Sequence, residues 1–247
     1  MALAVCWNLR PCAAQDHARF VRWAFQDAVG LGARALPLSP VFLTAGGLVI
    51  PAGKEFDEEI RDGIRSSYKG TWGDYLDVMN ELGSRYTWIP ATSVFAASLL
   101  TDDRKFQDAA FTSVETILAS VTITATVKFV VGRSRPEQNE SSIHLRPFSG
   151  RVSFPSGHTT VAFAVISPWV FYYPGPITYS LFALSASTGV ARIAKNKHWP
   201  TDVLAGAAVG ILTGRWLSRR HQARARRQAV VSPFVGLNTV GITIKLD

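Results

Sequence analysis

The chain has 247 residues, a formal net charge of +8, 47% hydrophobic residues and a mean hydropathy of +0.13. That length carries one substantial core and forces no second domain, and the hydropathy lies between soluble and polytopic membrane proteins. The two cysteines, Cys6 and Cys12, sit near the N-terminus without a histidine cluster, which excludes a disulfide scaffold and argues against a zinc site. The basic balance suits an acidic partner: nucleic acid, anionic headgroups or a phosphorylated substrate.

Met1 to Ala14 is apolar and ends in Cys12-Ala13-Ala14-Gln15, resembling a cleavage site, but it lacks a charged n-region and a long apolar run. Asp16 to Leu31 reads as an amphipathic helix suited to a membrane surface, with Phe20, Val21, Ala24 and Phe25 on one side and Arg19, Arg22 and Asp27 elsewhere. Six apolar stretches follow: Leu36–Pro51, Tyr86–Leu100, Ala109–Val131, Thr159–Tyr173, Ile177–Ala194 and Val203–Leu217. Several are shorter than the roughly 20 residues that cross a bilayer core of about 30 Å, and one carries Glu115.

Gly206, Gly210 and Gly214 recur every fourth residue in the last stretch, giving a smooth face for close helix contact. A basic run from Arg215 to Arg227 follows and anchors that end on the cytoplasmic side. No aromatic platform accompanies it, so nucleic acid is not expected as a partner. Gly53 to Arg85 is charged and turn-rich and reads as an extramembrane loop with a short helix. Val240 to Leu246 alternates apolar and polar residues, as a strand does. The expected organisation is an N-terminal segment (1–35), a membrane domain (36–217) and a basic tail (218–247), in an all-α fold of six transmembrane helices with a strand-like end.

Three segments hold chemistry at helix ends. In Lys128-Phe129-Val130-Val131-Gly132-Arg133-Ser134-Arg135-Pro136, Lys128 and Arg135 are two helical turns apart and share a face if the helix persists. A lysine in an apolar stretch is either functional or a snorkelling side chain. In Phe154-Pro155-Ser156-Gly157-His158, free amides of Ser156 and Gly157 at a helix start donate to phosphate oxygens, although a plain serine cap reads equally well. His158 stands at the same mouth, placed to protonate a departing oxygen. In Arg192 to Asp202, His198 and Asp202 are four residues apart, so the carboxylate can fix the imidazole tautomer and leave the other nitrogen free to attack.

Lys, six residues, Arg-Pro; Pro-Ser-Gly-His; and Arg, five residues, His, three residues, Asp together resemble the type 2 phosphatidic acid phosphatase family. That group includes bacterial class A acid phosphatases and vanadium-dependent haloperoxidases. The resemblance implies that Lys128, Arg135, Arg192, Ser156 and Gly157 bind the phosphoryl group. It further implies that His198 forms a phosphohistidine, Asp202 orients it and His158 protonates the leaving group. Three fixed cations and backbone donors then replace magnesium, so no metal or cofactor is expected. The family pattern has serine where this chain has Ala191, a loss of one hydrogen bond.

With the basic run inside, six crossings bring all three blocks to the outer face of a cytoplasmic membrane, where the expected substrate is a phosphorylated lipid. On that face Arg133, Arg135, Arg146, Arg151, Arg192, Lys195 and Lys197 defy the positive-inside tendency, as substrate-binding cations would. The loop Glu137–Ser153, with His144, Arg146 and Arg151, is expected to touch the substrate. Alternatives are a soluble acid-phosphatase-like enzyme, a haloperoxidase-like enzyme, and a non-enzymatic anion transporter that would need Lys128 but not His198.

Overall fold

A computed structural model describes residues 17–32, 50, 53–236 and 239–244. Met1 to Ala14 and nearly all of the Leu36–Pro51 stretch lie outside the described residues. The elements are α1 (18–32), α2 (Lys54–Ser66), α3 (Gly70–Glu81), α4 (Trp88–Ser98), α5 (Arg104–Val131), α6 (Gly157–Tyr172), α7 (Pro176–Ala194), α8 (Pro200–Val230), β1 (Val231–Gly236) and β2 (Thr239–Ile244). The strands pair antiparallel, Val231 opposite Ile244 and Gly236 opposite Thr239, so the strand expected at the C-terminus is half of a hairpin. The boundary expected at 217/218 falls inside α8, which continues unbroken through the basic run.

Helix α6 lies at the centre, against α5, α7 and α8. The glycine repeat makes the tightest of these contacts. A Cβ on Gly206 would stand 2.5 Å from the Ser156 carbonyl oxygen, and one on Gly210 would stand 2.7 Å from that of Thr160. Main chain therefore lies on main chain, the close approach that small residues permit between helices in lipid.

Helix α5 buries hydroxyl side chains together with Phe111 and Ile117. Its inward face carries Thr112, Ser113, Thr116, Ser120 and Thr124, all buried, whereas Leu118 and Phe129 are 53% and 56% exposed. The hydroxyls are largely satisfied internally: Thr112 donates to the Asp108 carbonyl, Thr116 to that of Thr112, and Ser113 to that of Val165 on α6. Polar atoms paired within the bundle and apolar ones facing out is the arrangement a hydrocarbon solvent imposes. Among the described residues α5 alone is long and apolar enough to cross a membrane. Helices α4 and α6, at 11 and 16 residues, rise only about 16 and 24 Å, so length does not support six full crossings.

The N-terminal helix forms as expected, but with a different inner face. Phe20 and Trp23 are buried against Phe111, while Val21 and Phe25 point outward. The reason is Asp27, wholly buried and held by Arg220, His221 and Arg224 of α8, with the Trp23 ring stacked on His221. An acid needing three partners fixes which side of the helix turns inward.

Residues 53–85 form two helices and not a loop. Phe56, Ile60 and Ile64 recur every fourth residue along α2, the helical period missed among its many charges. Leu76 of α3 packs on Ala191 and Ala194 of α7. These two helices cover the end of the bundle where the three blocks meet.

Candidate active site

The C-terminal end of α5 is stopped by Gly132, whose left-handed backbone (φ 59°) caps the helix. A Cβ there would lie 1.8 Å from the Arg146 carbonyl oxygen, so glycine is required twice over. The helix therefore does not persist to Arg135, and the shared face expected for Lys128 and Arg135 does not exist. Instead the chain doubles back: Arg146 N–H donates to the Gly132 carbonyl, Ser134 N–H to that of His144, and Ser153 N–H to that of Arg133. This folded loop carries the Val152 and Ser153 carbonyls to the Lys128 ammonium, which donates to both.

Asp202 lies in the first turn of α8, wholly buried. Its Oδ2 accepts from Trp199 N–H at 3.0 Å, from the Ser153 hydroxyl at 2.5 Å and from His198 Nδ1 at 3.4 Å. Its Oδ1 accepts from Arg133 at 2.6 Å. An ionised carboxylate only accepts, so Nδ1 of His198 carries the proton and Nε2 presents its lone pair. Burial, reinforced by the nearby charges of Lys128 and Arg192 and opposed by Asp202, pushes the His198 imidazole down to about 3. It is therefore neutral at neutral pH.

Arg133, one of the cations expected at the outer face, is fully buried and bonded to the protein through all three guanidinium nitrogens. One nitrogen serves Thr201 and Asp202, another Asp57 of α2, and its Nε the Ser142 carbonyl. Asp57 also accepts from the amide and hydroxyl of Thr201, so an acid from α2 caps α8. Arg151 is paired with Glu140, Lys195 with Asp77 and Lys197 with Glu137. His144 likewise bonds Glu140 and Ser134 within its own loop. Arg133, Arg151, Lys195 and Lys197 are thus structural ion-pair partners.

Two arginines behave differently. Arg192 is buried, donates through one nitrogen to Asn80 of α3, and keeps its Nε without a hydrogen-bond partner. Arg135 has a weak contact with Glu137 at 3.3 Å and likewise a buried, unpartnered Nε. Each lies within electrostatic reach of the other, of Lys128 and of His158. His198 in turn senses Lys128, Arg192 and Asp202. The blocks thus converge on one spot, where like charges are held together with donors unused, an arrangement that an incoming anion relieves.

At the start of α6 the expectation needs amending. Ser156 N–H is not free, since it donates to the Asp202 carbonyl at 2.8 Å. Its hydroxyl makes no helix cap and accepts from Thr159 instead. The first-turn amides of Gly157 and His158 have no acceptor within the helix, and Gly157 sits beside the Lys128 side chain. Ala191 is enclosed by Leu76 and Ala194, so the space of a serine hydroxyl is apolar here. Asp57, Asn80 and Ser153 support this site without being marked in the sequence; the apolar period of α2 signals the helix but does not single out Asp57.

Residues 109–226 match the PAP2 superfamily model, a span that contains all three blocks. Among relatives, the lipid A 1-phosphatase of Porphyromonas gingivalis is 38% identical over 97 residues, covering 37% of this chain and 20% of that one. The undecaprenyl-diphosphatase of Sulfolobus acidocaldarius is 26% identical over 170 residues, covering 66% and 75%. The chain spans less than half the length of the lipid A 1-phosphatases it matches. In fold it is similar to a transmembrane PAP2-type phosphatidylglycerolphosphate phosphatase of Bacillus subtilis, with a TM-score of 0.58 at 20% identity over 76% of this chain and 96% of that one.

Proposed function

We propose that this protein is a membrane-embedded phosphatase that hydrolyses a phosphomonoester or diphosphate carried by a lipid, without a metal ion. The observation that carries the reading is the pair of buried, unpartnered Nε–H groups of Arg135 and Arg192, set with Lys128 beside a neutral His198. A phosphoryl group with two negative charges satisfies those donors and compensates the clustered cations. The relatives named for lipid A and undecaprenyl diphosphate, and the apolar outer surface of α5, favour a lipid carrier.

In the first step the Nε2 lone pair of His198 attacks phosphorus, a P–N bond forms and the P–O bond to the lipid breaks. Burial and the cations Arg192, Arg135 and Lys128 disfavour the charged form of His158 in the empty site; the phosphoryl dianion offsets those cations, and the departing oxygen then takes its proton from this imidazole. In the second step water attacks the phosphohistidine, His158 accepts the water proton, and the P–N bond breaks to release inorganic phosphate. Asp202 keeps Nδ1–H oriented and stabilises the charge that develops on the ring. The amides of Gly157 and His158 join the three cations around the equatorial oxygens; Ser156 supports that turn through its bonds to Asp202 and Thr159. A multi-pass inner-membrane placement, with this end of the bundle outward, is supported by the basic run at the other end.

Replacing His198 by alanine tests the core of the proposal. Phosphate release from phosphatidic acid, phosphatidylglycerol phosphate or undecaprenyl diphosphate is lost, and brief quenching with labelled substrate traps an acid-labile phosphoenzyme only in the unsubstituted protein. Undiminished hydrolysis by the variant overturns the assignment.

A further inference from the structure

The end of the bundle remote from His198 holds a second concentration of positive charge. At about 1.5 Å per residue along α5, Arg104 lies about 36 Å from Lys128. A cavity of about 480 Å³ opens there, walled by Arg19, Arg104, Lys105, Asp108, Tyr172 and Arg226, among others. Its acid is already compensated, because Asp108 is salt-bridged to Arg19 at 3.1 Å. Arg104, Lys105 and Arg226 form no salt bridge among the described residues, and the Lys105 ammonium rests 4.3 Å from the centre of the Tyr173 ring. Beside the cavity, α1 turns Val21, Phe25 and Val29 outward at 75%, 72% and 58% exposure, an apolar stripe with four-residue spacing.

We propose that this cavity binds the phosphate headgroup of an anionic phospholipid in the leaflet opposite the catalytic end. The inference rests on the membrane placement given above, but not on the phosphatase chemistry. Its depth decides between a lipid and a free anion. A bilayer core is about 30 Å thick, so with Lys128 at one surface the cavity falls at the headgroup level of the other. Three cations without carboxylate partners supply the attraction, and the Val21-Phe25-Val29 stripe lies where the acyl region begins. The bound lipid would tie α1, α5, α6 and α8 together at the end where Asp27 already joins α1 to α8.

Native mass spectrometry of the full chain tests this, after incubation in mixed micelles doped with phosphatidylglycerol or with phosphatidylcholine. Phosphatidylglycerol is expected to be retained over phosphatidylcholine, and to weaken with salt. The variant Arg104→Gln/Lys105→Gln/Arg226→Gln should hold it less tightly by roughly fivefold per cation while its phosphatase rate stays unchanged. Should the triple variant not fold, Arg226→Gln, at an exposed position, carries the same comparison. Equal retention of the two lipids, or retention unaltered by the substitutions, overturns the proposal. Displacement of the lipid by inorganic phosphate alone also overturns it, in favour of a free-anion site. A separate alkaline wash of membranes reports on placement: release of the chain refutes the membrane reading itself.

Discussion

Arg133 holds Asp202 at 2.6 Å with both side chains fully buried, and its other arm holds Asp57 at the same distance. The residue that orients the proposed nucleophile is therefore itself oriented from α2, a helix outside the motif-bearing segments. Replacing Arg133 by methionine leaves two buried carboxylates without compensation, a loss of about 3–5 kcal/mol. The expected outcome is a large fall in thermal midpoint. Asp57→Asn keeps the shape and one acceptor, and should lower kcat more than it raises KM, since it acts on His198 through Asp202 and not on the lipid. An unchanged kcat in Asp57→Asn, with the fold intact, breaks this chain of support.

His158 is assigned to the leaving group, and its effect must depend on how much help that group needs. His158→Ala should lose about 10²–10⁴ in kcat on an alkyl phosphate. On p-nitrophenyl phosphate, whose leaving oxygen departs unprotonated, the loss should be far smaller. Equal losses on both substrates refute the role.

The low proton affinity of His198 makes a statement about acid stability. Its native value is about 3 against an ordinary 6.5, so between these pH values the unfolded chain binds a proton that the native one does not. Stability therefore falls as pH drops from about 6.5 toward 3, and this contribution stops changing below it. In His198→Asn the thermal midpoint should slope less steeply with pH across that window; an identical slope shows that the ring is already charged in the native protein.

The glycine contact between α6 and α8 admits no side chain. Gly210→Ala places a methyl 2.7 Å from the Thr160 carbonyl oxygen and 2.9 Å from the Ala164 nitrogen, both main-chain atoms that cannot rotate away. Overpacking of this kind costs about 1–3 kcal/mol. Activity and thermal midpoint should fall together, and a fully active, equally stable variant is incompatible with the contact.

Ala191→Ser introduces the residue that the family pattern carries at this position. The hydroxyl would enter a cluster of Leu76 and Ala194, where its ready acceptor is the carbonyl one turn back in α7, a bond that slightly destabilises a helix. A lower thermal midpoint and no gain in kcat are expected; a more active and equally stable variant would show a partner for the hydroxyl outside α7.

What was legible in the sequence was local. Lys128, Arg135, His158, Arg192, His198 and Asp202 announce themselves through spacing and through charge where apolar residues surround them. Asp57 and Asn80 do not, because Asp57 is one acid among Glu55, Glu58 and Glu59, and only the packing of α2 decides which enters the interior. Arg133 misled for the converse reason: two residues from Arg135 and of identical type, it is distinguished only by the turn at Gly132, which sends one guanidinium inward and leaves the other beside the site. The apolar stretches marked helices α4 to α8 well. Their lengths as crossings were not readable, since helix ends depend on caps and tertiary contacts.

Because α6 and α8 meet main chain to main chain, the distance between the proposed nucleophile, two residues ahead of α8, and the proposed proton donor, in the first turn of α6, is set largely by two backbones. No intervening layer of side chains has to be kept complementary as the sequence drifts. The loop Glu137–Ser153 and α3 carry a tighter constraint at single side chains, since Ser153 is bound to Asp202 and Asn80 to Arg192. By contrast, side chains on the outer faces of α6 and α8 can change while that spacing stands.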